Sequence, residues 1–455
     1  MTSKTSSERG TWNSKIGFIL AAAGSAVGLG NIWGFPTQVA DNGGAAFILV
    51  YLLCCLIIGF PVMVAELAIG RRTQKNPVGA LKALSRGNPF VPLIGYWGVL
   101  CGVMILSFYV VISGWTLAYV FEELFYFFNF EAAAEYVGDL GNGFKNAIFT
   151  LIFMILTILI VTGGVSKGIE RATKLLMPVL IVILFILIIY IFTLDGAREG
   201  VVMYFQPDFS TIDGSLLLSA MGQAFFSLSL GMGALITYGS YLNKKQNIVE
   251  SAAYITVFDI GIAVVAGLLV IPAMFVAQAG GVQIFNPETG ALFSSVTLVF
   301  DVLPEMFHNI GGIIGMLLGI TFFILLGLAA LTSSISLLEV PVAYVIDEHR
   351  IHRKTAAWMV GGLVGLIGVV VSFELSLIDY FVMIFNEIGL PLGGLAIALF
   401  LGYFWKTENA ILELEQGNKK IRESGFHLLW VILIKYVSPL LIGLVLLTTV
   451  WGIFT

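Results

Sequence analysis

Ala21 to Pro36, AAAGSAVGLGNIWGFP, is the stretch on which the reading of this chain turns. It lies in an apolar segment long enough to span a bilayer, yet it is poorly suited to one continuous helix. Gly24, Gly28, Gly30 and Gly34 each cost about 1 kcal/mol relative to Ala in a helix interior. Pro36 removes a backbone donor and clashes with the preceding turn. Broken backbone at membrane depth survives only where protein buries it or a polar cavity borders it. The stretch therefore reads as a binding site made of main chain. A second stretch, Phe225 to Ile236, FFSLSLGMGALI, repeats the apolar-Gly-apolar-Gly pattern of Val27 to Gly30 at Leu230 to Gly233. Paired interruptions in two hydrophobic segments point to a transporter's central site. Glycine used only for close helix packing is the competing explanation. It accounts for one such stretch more easily than for the pair.

Composition sets the surroundings. Of 455 residues, 58% are hydrophobic and only 11% charged, against about 25% charged in soluble proteins. The apolar runs are long and continuous rather than alternating, so the chain is expected to be an all-α integral membrane protein and not a barrel. The net charge of −5 argues against a nucleic-acid partner. Met1 to Gly10 is polar and lacks the apolar core of a signal peptide. Cys54, Cys55 and Cys101 fall inside apolar runs, with no disulfide or zinc spacing. No GxxxxGK followed by Ser or Thr occurs, which disfavours ATP-driven chemistry and leaves an ion gradient as the expected energy source.

Eleven spans are expected, centred near Gly24, Leu56, Leu106, Ile155, Ile183, Ser229, Val265, Leu325, Leu363, Leu390 and Leu441. Basic residues follow the even-numbered spans (Arg71 and Arg72; Lys167 and Arg171; Lys244 and Lys245; Arg350 and Arg353; Lys419 and Lys420), whereas Glu122, Glu123, Asp195 and Glu199 lie on the opposite side. The positive-inside rule then places the N-terminus in the cytoplasm and the C-terminus outside. The opposite-side loop Gly280 to Asn309 is expected to carry short helices and act as a lid. The connector Lys406 to Gly425 reads as solvated and partly helical.

Ionisable groups inside the membrane are expensive and point to function. Glu66, Asp259, Glu339, Asp347 and Asp379 are the candidates. For Glu66 and Asp347, near the interface, a structural salt bridge is as good an explanation. Asp259, apolar on both sides, is the hardest to dismiss. Thr332-Ser333-Ser334 adds hydroxyls at mid-span. Hydroxyls often only bond back to the preceding turn, but three together exceed that need. Hydroxyl and carbonyl oxygens suit a small hard cation. An unwound helix offers carbonyls at one half-end and amides at the other.

The motifs GSAVGLGNIWGFP from Gly24, NGGAAF from Asn42, SKGIERATKLLMP ending at Pro178, GQAFFSLSLGMGALITYGSY ending at Tyr241 and LTSSIS from Leu331 carry a resemblance over nearly the whole chain. The sequence resembles the neurotransmitter:sodium symporter family, in its branch of bacterial amino-acid transporters related to the leucine transporter. The resemblance implies an inverted five-plus-five helix repeat with eleven transmembrane helices, the first and sixth unwound at mid-membrane. It divides the chain into an N-terminal gate segment (1–14), a first repeat (15–195), an extracellular loop (196–215), a second repeat (216–404), a cytoplasmic loop (405–426) and a peripheral eleventh helix (427–455).

It also implies two sodium sites. The first would use the Ala26 carbonyl, Asn31, Ser227 and the substrate carboxylate, with Asp259 where the leucine transporter has Asn. The second would use the carbonyls of Gly24, Val27 and Ala329 and the hydroxyls of Thr332 and Ser333. The substrate carboxylate would meet the amides of Leu29 and Gly30 and the Tyr109 hydroxyl. Its amine would meet the carbonyls of Ala26, Phe226 and Ser227. Ile105, Tyr109, Phe226, Ser229, Met232, Ser333 and Leu337 would enclose its side chain without a formal charge. Gly28 leaves room for a substrate carboxylate, so a neutral, hydrophobic or aromatic L-amino acid is expected. A fixed carboxylate at Asp259 would replace the chloride that animal members need, near Tyr51, Gln223 and Ser227.

By the same resemblance, Arg9, Trp12, Tyr241 and Asp347 would form the inner gate, with Glu339 an added acid. Gly168 to Pro178 matches the run where the fifth span unwinds. At the outer gate Asp379 is present, but Gly34 replaces its usual Arg partner. The function implied is Na⁺-coupled amino-acid uptake by alternating access, without enzymatic activity, in a bacterial-type plasma membrane. A carrier of another zwitterion such as GABA or taurine, or a sensor that binds and barely transports, stays open, as does the oligomeric state.

Overall fold

The computed structural model describes residues 10–285 and 293–454. Arg9 lies outside the described residues. Helix α1 (Lys15–Ala26) starts at Ser14, whose Oγ accepts from the Gly17 amide at 3.0 Å, a side-chain cap on a helix end. It stops at the glycines, and α2 (Gly30–Asp41) leaves it at a bend of 54°. A π-helical turn over Gly30–Gly34 opens α2, and Pro36 sits at the start of the following α-helical turns, where its missing amide costs least.

The long helices follow as α3 (Ala45–Thr73), α4 (Val91–Phe127), α5 (Gly143–Thr162) and α6 (Val165–Ile191). Next come two short pieces, α7 (Gly214–Ser227) and α8 (Ala234–Gly239). The chain continues as α9 (Ile248–Ala279), α10 (Leu303–Ile310), α11 (Gly312–His349), α12 (Arg353–Phe373), α13 (Ser376–Glu415) and α14 (Phe426–Thr449). Among the described residues, nine helices are long and apolar enough to cross a membrane, and the bent α1–α2 pair makes ten. The remaining expected span is α7 plus α8. At 14 and 6 residues, neither alone reaches across roughly 30 Å of hydrocarbon at about 1.5 Å per residue.

The two longest described helices that run α-helical throughout, α4 and α11, pack along each other, and α9 lies against α1, α2 and α3. The broken elements are thus held inside a wall of intact ones. That wall turns Leu156, Ile186, Leu366 and Leu440 outward. The loop before α11 carries short helices at Ser295–Thr297 and Leu303–Ile310.

Two local expectations fail. The connector before α14 is partly helical as expected, at Thr407–Glu415, but it is not solvated throughout: Glu413 is buried with its Oε1 2.8 Å from Nε of the fully buried Arg71. A buried guanidinium needs such a partner. Nor is the run Gly168 to Pro178 unwound. Here α6 stays helical through Pro178, with a π-helical turn at Val165–Ile169.

Candidate functional site

The break between α7 and α8 is imposed by backbone that only glycine accepts easily. Gly231 and Gly233 have φ of +78° and +76°, the left-handed region. A Cβ on Gly231 would also lie 2.1 Å from the Leu390 carbonyl. Glu66, fully buried in α3, accepts from the Gly231 amide at 2.8 Å and so satisfies a donor the break leaves without a helical partner. Across from it, the Ser25 carbonyl near the end of α1 accepts from Ser229 Oγ at 3.0 Å and Ser333 Oγ at 3.2 Å. The Ser25 hydroxyl donates to Ser336 Oγ at 2.7 Å. Sequence reasoning missed both serines. The available signal was position: Ser25 lies inside the glycine run, and Ser336 follows Ser333 by one helical turn.

Three polar groupings surround these breaks. In the first, Asn31 Nδ2 donates to Asp259 Oδ1 at 2.7 Å and to Ser227 Oγ at 3.0 Å. Ser227 Oγ donates to the Asp259 carboxylate at 2.8–2.9 Å, and Tyr51 Oη reaches Ser227 at 3.2 Å. Asn31, Ser227 and Asp259 are all fully buried. In the second, Thr332 Oγ1 lies 2.9 Å from the Ala329 carbonyl and 3.3 Å from that of Val27, with Ser333 Oγ 3.4 Å from the same Val27 oxygen. Gly24 packs onto Thr332. The side-chain and carbonyl acceptors in both groupings are oxygens, a donor set that fits a small hard cation.

The third is a cavity of about 20 Å³ lined by Ala26, Gly28, Gly30, Ile105, Tyr109, Phe226, Ser227, Ser229, Met232, Ser333 and Leu337 as well as Ser25. Leu29 is not on its wall, but its amide donates to Tyr109 Oη at 3.1 Å. Gln223 Nε2 donates to the Gly30 carbonyl at 2.7 Å. On this measure about 10–15 Å³ already holds one water, so the closed cavity has room for little more than that. The walls must therefore separate before an organic molecule enters.

The family model described as "Sodium:neurotransmitter symporter family" matches residues 9–135 and 123–453. The chain belongs to that family. It is 36% identical to the uncharacterized sodium-dependent transporter YhdH of Bacillus subtilis, over 96% of this chain and 97% of that protein. It is 33% identical to an uncharacterized sodium-dependent transporter of Haemophilus influenzae, over 98% of this chain and 99% of that protein. The crystal structure of MhsT in complex with L-phenylalanine is similar at a TM-score of 0.84 and 42% identity, covering 97% of this chain and 100% of that one. The symporter is thus an all-α, multi-pass membrane protein with the leucine-transporter-like fold.

On one side of the symporter's cavity, the loop before α11 is seated on α2. Trp33 Nε1 donates to the Ser295 carbonyl at 2.9 Å, and Phe300 packs edge-on against Trp33, Trp115 and Tyr119. Asp379 is exposed at the start of α13. The acid facing the cavity of about 200 Å³ outside Phe226 is instead Glu387, beside Asn386, Gln38 and Gln223. A π-helical stretch over Val382–Ile388 turns the helix face by an extra residue, which α-helical spacing could not foretell. Asp379→Asn is expected to leave uptake within about twofold, since an exposed charge contributes little. A loss of about a hundredfold, roughly 2.7 kcal/mol, in labelled-substrate uptake would show that Asp379 has a partner in the working cycle.

On the other side, Trp12 is buried against Phe18, Tyr238 and Tyr241, and its Nε1 donates to the Tyr238 carbonyl at 3.0 Å. Tyr241 Oη donates to Glu339 Oε1 at 2.7 Å, and Arg353 NH2 pairs with Glu339 Oε2. Asp347 accepts from the Asn76 amide at 2.9 Å and from its side chain at 3.1 Å. Arg353 was read from the sequence only as a loop charge. Removing it strands a buried carboxylate, so Arg353→Ala is expected to cost about 3–5 kcal/mol. The double variant Arg353→Met with Glu339→Gln should recover part of that loss. Unfolding midpoints in detergent provide the comparison, and equal midpoints for native and Arg353→Ala would reject the pair as a stabilising element.

Proposed function

We propose that this symporter couples inward Na⁺ movement to uptake of a neutral, hydrophobic or aromatic L-amino acid by alternating access, independently of chloride. The observation that carries this is the buried set of oxygens around Asp259, placed against an uncharged cavity between two broken helices. One Na⁺ sits with Ala26, Asn31, Ser227, Asp259 and the substrate carboxylate. A second sits with Gly24, Val27, Ala329, Thr332 and Ser333. The substrate carboxylate takes the amides of Leu29 and Gly30, and its amine takes carbonyls of Ala26, Phe226 and Ser227. The side chain lies among Ile105, Tyr109, Met232 and Leu337, where an unpaired charge would cost several kcal/mol.

The reading is supported by two features besides the cavity. MhsT, at 42% identity, is recorded with L-phenylalanine. A carboxylate at Asp259 also supplies in the protein itself a negative charge to balance a cation. The basic loops put the N-terminus in the cytoplasm. Arg9, Trp12, Tyr241, Glu339 and Asp347 then close the cytoplasmic side, and the lid closes the outer one.

Uptake of labelled L-amino acids into proteoliposomes, with an inward Na⁺ gradient against equal choline, tests the coupling. Accumulation of phenylalanine or leucine only with Na⁺ is the expected result. Binding without accumulation would make the protein a sensor. Accumulation of GABA or taurine but no α-amino acid would overturn the substrate assignment. Replacing chloride with gluconate is expected to leave uptake unchanged, and loss of uptake there would reject the role given to Asp259.

A further inference from the structure

Away from the central cavity, the rim of α4 meets the lid at three groups that can bind metal. Glu122 and Glu123 end α4, and His308 comes from α10. His308 Nε2 lies 3.6 Å from Glu122 Oε1 and 3.5 Å from Glu123 Oε2. Both separations are longer than a normal N–H···O bond. Glu122 Oε2, Glu123 Oε1 and His308 Nε2 are buried and have no hydrogen-bond partner among the described residues. The Glu123 side chain is only 1% exposed. The loose ion pair with His308 engages only one oxygen of each carboxylate; leaving the other buried and unpartnered is costly, and a shared ligand would relieve that cost.

The spacing says which kind. One ligand atom from each residue lies within 4.8 Å of the other two. Ligands held about 2.0–2.2 Å from a tetrahedral ion stand about 3.4 Å from one another, close to what His308 shows toward both carboxylates. Tyr126 stacks flat on the imidazole, at 3.5 Å between ring centres and 7° between planes, which fixes the ring. Glu123 is accommodated by Gly319 of α11, where a Cβ would stand 2.2 Å from its carboxyl carbon. A cavity of about 220 Å³ beside Glu123, Tyr126 and His308 leaves room for water as a fourth ligand.

We infer that Glu122, Glu123 and His308 form a binding site for a divalent transition-metal ion of the Zn²⁺ class, which ties the lid to the rim of α4. One imidazole and two carboxylates suit such an ion, whereas Mg²⁺ and Ca²⁺ prefer six or more oxygens. The lid also bears Phe300, packed on Trp33 of the broken helix pair. An ion at this site therefore opposes any movement that lifts the lid off α2.

The test is calorimetric titration of the full-length, metal-stripped protein in lipid nanodiscs with Zn²⁺, and with Mg²⁺ as control. One saturable Zn²⁺ per chain is expected, with no Mg²⁺ heat at equal concentration. His308→Ala and Glu123→Gln are each expected to weaken Zn²⁺ binding by about tenfold or more, about 1.4 kcal/mol. If Glu123→Gln does not yield folded protein, Glu122→Gln replaces it. No Zn²⁺ binding to the native chain would reduce the cluster to an ion pair and overturn the site. Unchanged affinity in His308→Ala would place the ion at other histidines and overturn it equally. Zn²⁺ should also slow Na⁺-driven uptake by the native protein and not by His308→Ala. Binding without slowing would overturn the clamp on the lid. The calorimetry needs no transport, so a failure of the proposed function would be told apart from a failure of the site.

Discussion

Gly28→Ala is expected to weaken amino-acid binding by about a hundredfold or more, roughly 2.7 kcal/mol, while the helices stay folded. An added Cβ would stand 2.4 Å from Ser333 Oγ and 2.8 Å from Tyr109 Oη. Both hydroxyls border the cavity, and Tyr109 also accepts from the Leu29 amide. The methyl group would occupy the place proposed for the substrate carboxylate and push aside a group proposed to bind it. Gly222→Ala is the control, because a Cβ there meets nothing within 4 Å. Equilibrium binding of radiolabelled substrate to purified protein gives the comparison. Affinity for Gly28→Ala within about threefold of native, under 1 kcal/mol, would remove the carboxylate from this position.

Asp259→Asn tests the first proposed ion site. The Asp259 oxygens accept from Asn31, Ser227 and Tyr51, at 2.7 Å, 2.8–2.9 Å and 3.4 Å. Asn keeps the shape but replaces one acceptor oxygen with a donor, so one of these groups loses its partner at a cost of about 1–3 kcal/mol. The larger loss is charge. A carboxylate about 4 Å from a monovalent cation contributes on the order of 4 kcal/mol at an effective dielectric constant near 20. The Na⁺ concentration for half-maximal uptake is expected to rise by about a hundredfold or more, equivalent to roughly 2.7 kcal/mol. Chloride is expected to restore part of the loss, because a mobile anion can then take the place of the fixed one. The measurement is uptake against Na⁺ concentration in chloride and in gluconate. An unchanged Na⁺ dependence would take Asp259 out of the ion site.

What the sequence determined by itself is the class of fold and where its helices break. Lipid-length apolar runs and the glycines at 28, 30, 231 and 233 act through properties of the local backbone, whereas Pro36 lies inside the continuous helix α2. Hydrophobic length, helix propensity and the left-handed region need no knowledge of neighbours. The motifs around those breaks were specific enough to indicate the family and to name most of the residues that line the small cavity, Ser25 excepted. The tertiary structure decided which polar groups meet. Ser25 meets Ser336 across 311 positions of chain, and Arg71 meets Glu413 across 342. Glu339 finds Arg353 on the next helix, and Glu122 and Glu123 meet His308 from the short helix Leu303–Ile310. Glu387 faces the cavity of about 200 Å³ beyond Phe226 and Asp379 does not, because a π-helical stretch rotates the helix between them. Such pairings depend on how each helix is rotated and shifted against its neighbours. That register is set by the summed packing of many apolar side chains, and no single residue or local pattern encodes it.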